Sequence, residues 1–188
     1  NSRVVIRVDG KTMNVNASAL DPKEVLSNAG VYLGPRDEFR VAANEPGGTS
    51  IIEVYRAIPV TVSNGAKIDV VWTGKPTVGE VAESQGYPAK SFKTIPDAAT
   101  RPAPNMEIRI LTLSNKVMEK ELPIPFPIVR QPDPMMEKGM EAVVEHGVPG
   151  KKLATVRQMF EDGREAGFDI LSEKVLEEPR PEVLRVWT

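Results

Sequence analysis

Few side chains in this sequence are equipped to do chemistry. There is no Cys and a single His, His146, so the chain offers no thiol nucleophile, no thiolate metal centre and no multi-histidine metal site. His146 follows Glu145, a pairing that suits a general base or one metal ligand because imidazole titrates near neutral pH. A strand residue beside the Gly147 turn has the same signature and is the simpler reading. The adjacent carboxylates Glu161-Asp162 and Glu177-Glu178 invite comparison with the acid pair of a glycosidase. Asp162 is better explained by a hairpin turn with Gly163, and the second pair by a solvated strand end. Tyr55, Trp72, Phe126, Phe160, Phe168 and Trp187 include any ring on which the C–H face of a pyranose would stack, with Phe160 and Phe168 read first as core. Nothing in this set calls for a cofactor or a metal, and isolated carboxylates do not make a self-contained hydrolase.

Composition narrows the partners. The 188 residues carry 24 Lys and Arg against 26 Asp and Glu, a net charge of -2, too balanced for a ligand bound through phosphate neutralisation. Nucleic acid is therefore not an expected partner. No run of 18 apolar residues is present, so no membrane span is expected in the sequence. The 17 Pro are nearly twice the average frequency of about 5%, and there are only five Phe, three Tyr and two Trp, which predicts small cores.

The elements that must hold these residues begin with a repeat. Residues 4–57 align with 60–113 at a constant offset of 56, pairing Val4 with Val60, Lys11 with Lys67, Val15 with Val71, Glu24 with Glu80, Val25 with Val81, Gly30 with Gly86, Pro46 with Pro102 and Ile52 with Ile108. Each copy opens with alternating apolar residues that run into Asp9-Gly10 or Asn64-Gly65, dipeptides suited to the positive φ of a tight hairpin. The turn thus slides by one position between copies. Asp21 and Thr77 occupy equivalent N-cap positions, with Glu24 and Glu80 three residues on, Pro22 at the first helical position, and Gly30 or Gly86 as the stop. Helices of about nine residues are predicted. Residues 50–56 and 106–113 read as a closing strand, giving the order β-β-α-β. A unit of this size buries only about 60% of its unfolded surface and leans on its neighbour.

From about Ser114 the texture changes. Ile124-Pro125-Phe126-Pro127 and Gln131-Pro132-Asp133-Pro134 remove backbone donors and mark edges or bridges. Alternation follows at 140–145, 153–160 and 168–176, divided by Gly147-Val148-Pro149-Gly150 and Glu161-Asp162-Gly163. This reads as an antiparallel module of thin sheets with much of each face in water.

Residues 116–188 resemble the glycine-rich G-five domain of Gram-positive surface and cell-wall proteins. The likeness rests on Ile124-Pro125-Phe126, Asp133-Pro134, Lys138-Gly139, residues 143–147 (Val-Val-Glu-His-Gly), Gly150-Lys151-Lys152, Asp162-Gly163, residues 172–175 (Ser-Glu-Lys-Val), Pro179 and the closing Val186-Trp187-Thr188. Four glycines of the pattern, Gly139, Gly147, Gly150 and Gly163, are present as structural residues, and Trp187 stands where the fifth is normal. The two upstream copies resemble the ubiquitin-like β-grasp repeat of YabE-type proteins and resuscitation-promoting factors, through residues 77–81 (Thr-Val-Gly-Glu-Val) and 33–37 (Leu-Gly-Pro-Arg-Asp).

The resemblance implies a mostly β, α+β chain: ubiquitin-like β-grasp repeats over 3–57 and 58–113, then an elongated antiparallel β G-five domain over 114–188. In such families a hydrolytic domain follows the G-five module, and the sequence stops at Thr188 where it would begin. The implied role is a non-catalytic region that binds peptidoglycan, or another wall glycan containing N-acetylglucosamine, and spaces a downstream catalytic domain of an exported hydrolase or lytic transglycosylase. Such a protein would sit outside the cell, at the wall or surface of a Gram-positive-type bacterium. Self-association or adhesion, through weak edge contacts, is the rival role. Candidate glycan contacts are Arg130, Lys151, Lys152 and Arg157, whose charges would meet muropeptide carboxylates, and Trp187, which packs either on a following domain or on its own sheet. Charges on exposed strands also serve solubility and block edge pairing.

Overall fold

The computed structural model describes residues 2–18, 21–44 and 48–187, without the side chains of residues 43 and 44. Pro46 and Thr188, named in the sequence reading, lie outside the described residues. The chain divides into two compact units, Asn1–Leu113 and Ser114–Thr188.

The first unit contains two copies of one sheet. β1 (Ser2–Val8), β2 (Lys11–Ala17), α1 (Pro22–Asn28), β3 (Glu38–Asn44) and β4 (Thr49–Tyr55) form a four-stranded sheet in the order β2-β1-β4-β3. β1 and β4 run parallel and the outer pairs antiparallel. β5 (Ile58–Ser63), β6 (Ile68–Thr73), α2 (Val78–Ser84), β7 (Phe92–Ile95) and β8 (Glu107–Ile124) repeat that β-grasp arrangement, β8 pairing parallel with β5 and antiparallel with β7. Each copy therefore has one strand more than the predicted β-β-α-β order. β7 is four residues long between Pro88 and Pro96, too short for alternation to show. β3 ends at Asn44, and the sequence Glu45-Pro46-Gly47-Gly48 that follows carries turn residues, so a strand signal there is weak.

The helices are seven residues each, shorter than predicted, because their ends are fixed by the sequence. Asp21 accepts from the Lys23 N–H at 3.0 Å and Thr77 from the Glu80 N–H at 3.2 Å, satisfying orphan donors of the first turn. At the other end the Val31 N–H reaches the Leu26 carbonyl (2.8 Å), and Tyr87 reaches Ala82 in the second copy (3.0 Å). Gly30 and Gly86 supply the positive φ of these C-caps, 80° and 92°.

The hairpin turns keep the offset of 56 instead of sliding. Val8 pairs with Lys11, and the Asn64 N–H donates to the Lys67 carbonyl at 3.1 Å, so the second turn is Gly65-Ala66. Asp9 and Gly10 both have positive φ (52° and 74°), whereas in the second turn only Gly65 does (91°). These match type I′ and type II′ preferences respectively. Asn64 sits before the turn, its side chain accepting from the Ala66 and Lys67 N–H groups.

Each copy has its own core: Val4, Ile6, Val8, Val25, Leu26, Val31, Ile52 and Val54 in the first, and Val60, Val62, Val78, Val81, Ala82, Ile108 and Ile110 in the second. Most of these residues correspond across the offset.

β8 carries the chain past Leu113, beyond the closing strand predicted to end there, and its residues 114–124 lie in the second unit. β9 (Ile128–Pro132), β10 (Glu141–Glu145), β11 (Gly150–Glu161), β12 (Arg164–Glu177) and β13 (Glu182–Val186) follow. β13 lies between β10, which it pairs antiparallel, and β9, which it pairs parallel. The module is thus not purely antiparallel. A last strand inserted between two earlier ones is a non-local pairing that alternation does not reveal. β11 lies between β12 and β8, and the β11–β12 hairpin turns at Asp162-Gly163, both with positive φ. Ala154, Val156 and Gln158 on one face of β11 are buried with Leu184, while every residue of β12 is exposed.

Two of the four pattern glycines are needed for close approach. A Cβ on Gly147 would strike the Phe126 ring, and one on Gly150 would strike the backbone of Glu177 and Pro179. Gly139 and Gly163 instead adopt positive φ.

Candidate functional site

The five predicted contact residues do not converge. Arg130 on β9 and Trp187 after β13 belong to the three-stranded sheet, and Lys151, Lys152 and Arg157 lie along β11. Alternation puts Lys152 on the opposite face of β11 from Lys151 and Arg157. The lysines and Arg130 already face acids: Arg130 with Glu141 at 3.9 Å, Lys151 with Glu121 at 3.9 Å and Lys152 with Glu173 at 3.0 Å. Arg157 is exposed and opposite Asp169 in register. Trp187 is 44% exposed, and Lys138 Nζ lies 5.8 Å from its ring centroid, a cation–π distance.

The other sequence candidates are separate from one another. His146 is exposed beyond the end of β10, its Nδ1 3.9 Å from Glu182. Phe168, read first as core, is on the solvated strand β12 with Lys120 Nζ 4.5 Å over its ring; three register shifts break the alternation along β12, and every residue of that strand is exposed. Phe160 is half-buried. Among the described residues no three His, Asp or Glu side chains gather as a metal ion would require.

The densest polar constellation lies in the first unit, where the two repeats meet. Asp37, at the end of Leu33-Gly34-Pro35-Arg36-Asp37, accepts from the Gly34 N–H (2.8 Å), the Ala57 N–H (2.7 Å) and Arg56 Nη1 (2.9 Å). Arg56 also reaches Asp9 at 3.0 and 3.1 Å and the Tyr32 carbonyl. A linker of two residues, Arg56-Ala57, is thereby clamped on both sides. Partial burial would raise the Asp37 pKa, but the Ala57 and Gly34 amides and Arg56 outweigh it and hold the carboxyl below its ordinary value. The Arg56 hydrogen bond likewise lowers Asp9, and Asp9 and Asp37 together raise Arg56.

The rest of the seam is polar. Arg40 binds Glu80 at 2.7 Å and Glu38 at 3.2 Å, Lys75 binds Glu38 at 3.1 Å, and Arg101 lies 5.1 Å from the Tyr55 ring centroid. The Tyr55 hydroxyl donates to Glu53 at 2.6 Å, which lowers the Glu53 pKa and raises that of Tyr55. Gly74 is buried against the backbones of Arg36, Tyr55 and Glu38, where a Cβ would lie 2.5 to 3.0 Å from them.

This seam opens into a groove of about 400 Å³ beside β6, whose lining includes Pro35, Arg36, Glu38, Trp72, Lys75 and Gln85. Trp72 is 55% exposed there and ends a stripe with Ile68 and Val70, each 71% exposed. Aromatic content alone does not single out this stripe. Comparing the copies does, since the positions 56 residues earlier are Thr12, Asn14 and Asn16.

Residues 115–188 match the G5 domain model, and residues 4–38 and 60–91 match the G5-linked ubiquitin-like domain model. Resuscitation-promoting factor RpfB of Mycolicibacterium smegmatis is 27% identical over 128 residues, covering 68% of this chain. The chain spans 35% of that relative's length. Among solved structures, HP0197-G5 is 23% identical over 39% of this chain and 96% of its own, with a TM-score of 0.30. The IgA1 protease G5 domain is 26% identical over 42% of this chain and 92% of its own, with a TM-score of 0.23.

Proposed function

This chain belongs to the G5 proteins with G5-linked ubiquitin-like domains, and from that premise we propose that it is the wall-binding and spacer region of an exported peptidoglycan-remodelling enzyme. The observation that carries the reading is the presence of both domain types in one chain that is also similar to a resuscitation-promoting factor. Domain limits of 3–57, 58–113 and 114–188 are part of the proposal. The ligand is peptidoglycan or another N-acetylglucosamine-containing glycan, and catalysis belongs to a further domain of the parent protein.

The physical setting suits weak, distributed contact. The second unit is mostly exposed strand, and its cations face acids, so Arg130, Lys151, Lys152, Arg157 and Trp187 would each add little. Contacts of that kind work by raising the local concentration of an attached domain. Retention on purified peptidoglycan, with release by N-acetylglucosamine oligomers, is the expected outcome of a pull-down with the intact chain. No retention would defeat the proposal.

Self-association is the second reading, favoured by β12, a 14-residue exposed strand at a sheet edge, which is a surface for strand addition. The three register shifts along the β11–β12 ladder work against it. Sedimentation over a concentration series separates the two, since a monomer at every concentration removes self-association.

A further inference from the structure

Trp72 is exposed for a reason other than folding. Its position in the first repeat is Asn16, also exposed, on a strand paired in the equivalent register: Asn16 opposite Arg3, Trp72 opposite Pro59. The β-grasp sheet therefore forms without an indole there. Leaving more than half of a Trp in water forgoes the favourable transfer of apolar surface, and the two neighbours on its face, Ile68 and Val70, repeat that cost where the first copy has Thr12 and Asn14.

The groove around Trp72 combines an apolar ring with fixed polar groups. Glu38 is held by Arg40 and Lys75, so its charge is balanced. Arg36 is exposed, and its Nη1 donates to the Trp72 carbonyl at 3.4 Å. Asp37, its neighbour, is committed to Arg56, Ala57 and Gly34. The groove thus sets the Arg36 guanidinium, hydrogen-bonded to a neutral carbonyl, beside an exposed indole, with Gln85 also in its lining. An added peptide strand fits poorly: Arg36 caps the Trp72 carbonyl and the Gly74 backbone is packed against the first repeat. A ligand that lies on the ring and reaches the side chains suits the site better.

We propose that this groove is a saccharide subsite for an N-acetylated amino-sugar oligosaccharide that bears a carboxylate, with a pyranose face on Trp72 and the carboxylate on Arg36. This rests on the wall-glycan reading above and adds a second place of contact, in the ubiquitin-like repeats and apart from the G5 domain. Planar guanidinium recognition of a carboxylate makes Arg36 the source of preference among sugars, and the indole the source of affinity.

The test uses the intact chain, in which Trp72 and Trp187 are the two indoles and Trp72→Asn identifies the Trp72 resonance. The probes are the N-acetylglucosamine–N-acetylmuramic acid disaccharide, which carries a carboxylate, and neutral N-acetylglucosamine oligomers. The disaccharide is expected to shift the Trp72 indole N–H resonance. Trp72→Asn, read by calorimetry, is expected to weaken it by about tenfold, the scale of one well-placed contact. Arg36→Gln is expected to remove the preference for the disaccharide over neutral oligomers while retaining the latter. Unchanged disaccharide affinity in Trp72→Asn, with peptidoglycan retention intact, overturns this subsite and leaves the wall-binding reading standing. Absence of any glycan binding by the parent chain overturns both. A self-association that Trp72→Asn abolishes, with no response to either sugar, assigns the stripe to a protein contact and also overturns the proposal.

Discussion

The two repeats share a skeleton and differ in what they show to solvent. Val4, Ile6, Val25, Ile52 and Val54 of the first core correspond at the offset of 56 to Val60, Val62, Val81, Ile108 and Ile110 of the second. The caps and C-terminal glycines also correspond, as do the parallel pairings of β1 with β4 and β5 with β8. On the edge strand the correspondence fails: Thr12, Asn14 and Asn16 face water in one copy and Ile68, Val70 and Trp72 in the other. What both copies keep is what the fold requires. Of what one copy alone carries, Gly74 and the Asp37–Arg56 clamp sit at the seam, and the stripe on β6 is the part we propose for a ligand.

The largest test of that division lies in the cores. Leu26 is 1% exposed and its counterpart is Ala82, so the first helix fills space that the second does not. Leu26→Ala is expected to cost about 4 kcal/mol in urea unfolding, through lost transfer energy and the cavity left behind. A cost below about 1 kcal/mol would mean that the helix relaxes onto its sheet, as a well-collapsing site does, and that the two cores are interchangeable.

Gly74 comes next. Its counterpart is the exposed Ser18, but at Gly74 the backbone of the first repeat leaves no room for a Cβ. Gly74→Ser is expected to destabilise the first unit by about 3 kcal/mol, within the range of backbone strain and overpacking. A stable variant would show that the repeats are not pressed together there.

The clamp gives a smaller, pH-dependent effect. The counterparts of Asp37 and Arg56 are Lys93 and Thr112, so this ion pair belongs to the first copy and its linker. Asp37→Asn should cost about 2 kcal/mol at neutral pH, the scale of a charged hydrogen bond removed from a partly buried site. Because the folded Asp37 pKa is lowered, its contribution is fully present above the unfolded carboxylate value of about 3.9 and is lost as pH falls through the folded value. The gap in stability between parent and variant should therefore close below about pH 4. A gap that persists in acid would place the cost in shape and not in charge.

The smallest effect on stability is expected at the stripe itself. Trp72→Asn installs the first repeat's residue and should change unfolding free energy by no more than about 0.5 kcal/mol. A clear loss of stability would make the indole a folding residue and remove the contrast.

Local signals were readable in the residues and non-local ones were not. The repeat, both N-caps and both stop glycines follow from spacing alone, since each bond they make lies within a few residues. The parallel β9–β13 pair joins residues about 54 apart in sequence, which no window of alternation reports. The short β7 between Pro88 and Pro96 falls below the length at which a period shows. Among site residues, Asp37 stands in Leu-Gly-Pro-Arg-Asp with no local sign of its partner Arg56, because only the fold brings residue 56 back to residues 9 and 37. Subtracting one copy from the other at the offset would have found both the clamp and the stripe.

The central claim is that the second repeat, and not the first, meets the wall glycan. Titrating the intact, isotope-labelled chain with solubilised peptidoglycan fragments tests it directly through backbone amide shifts. The account predicts shifts at Ile68, Val70 and Trp72 with none at Thr12, Asn14 and Asn16. Equal shifts on the two edge strands, or none on either, would contradict it.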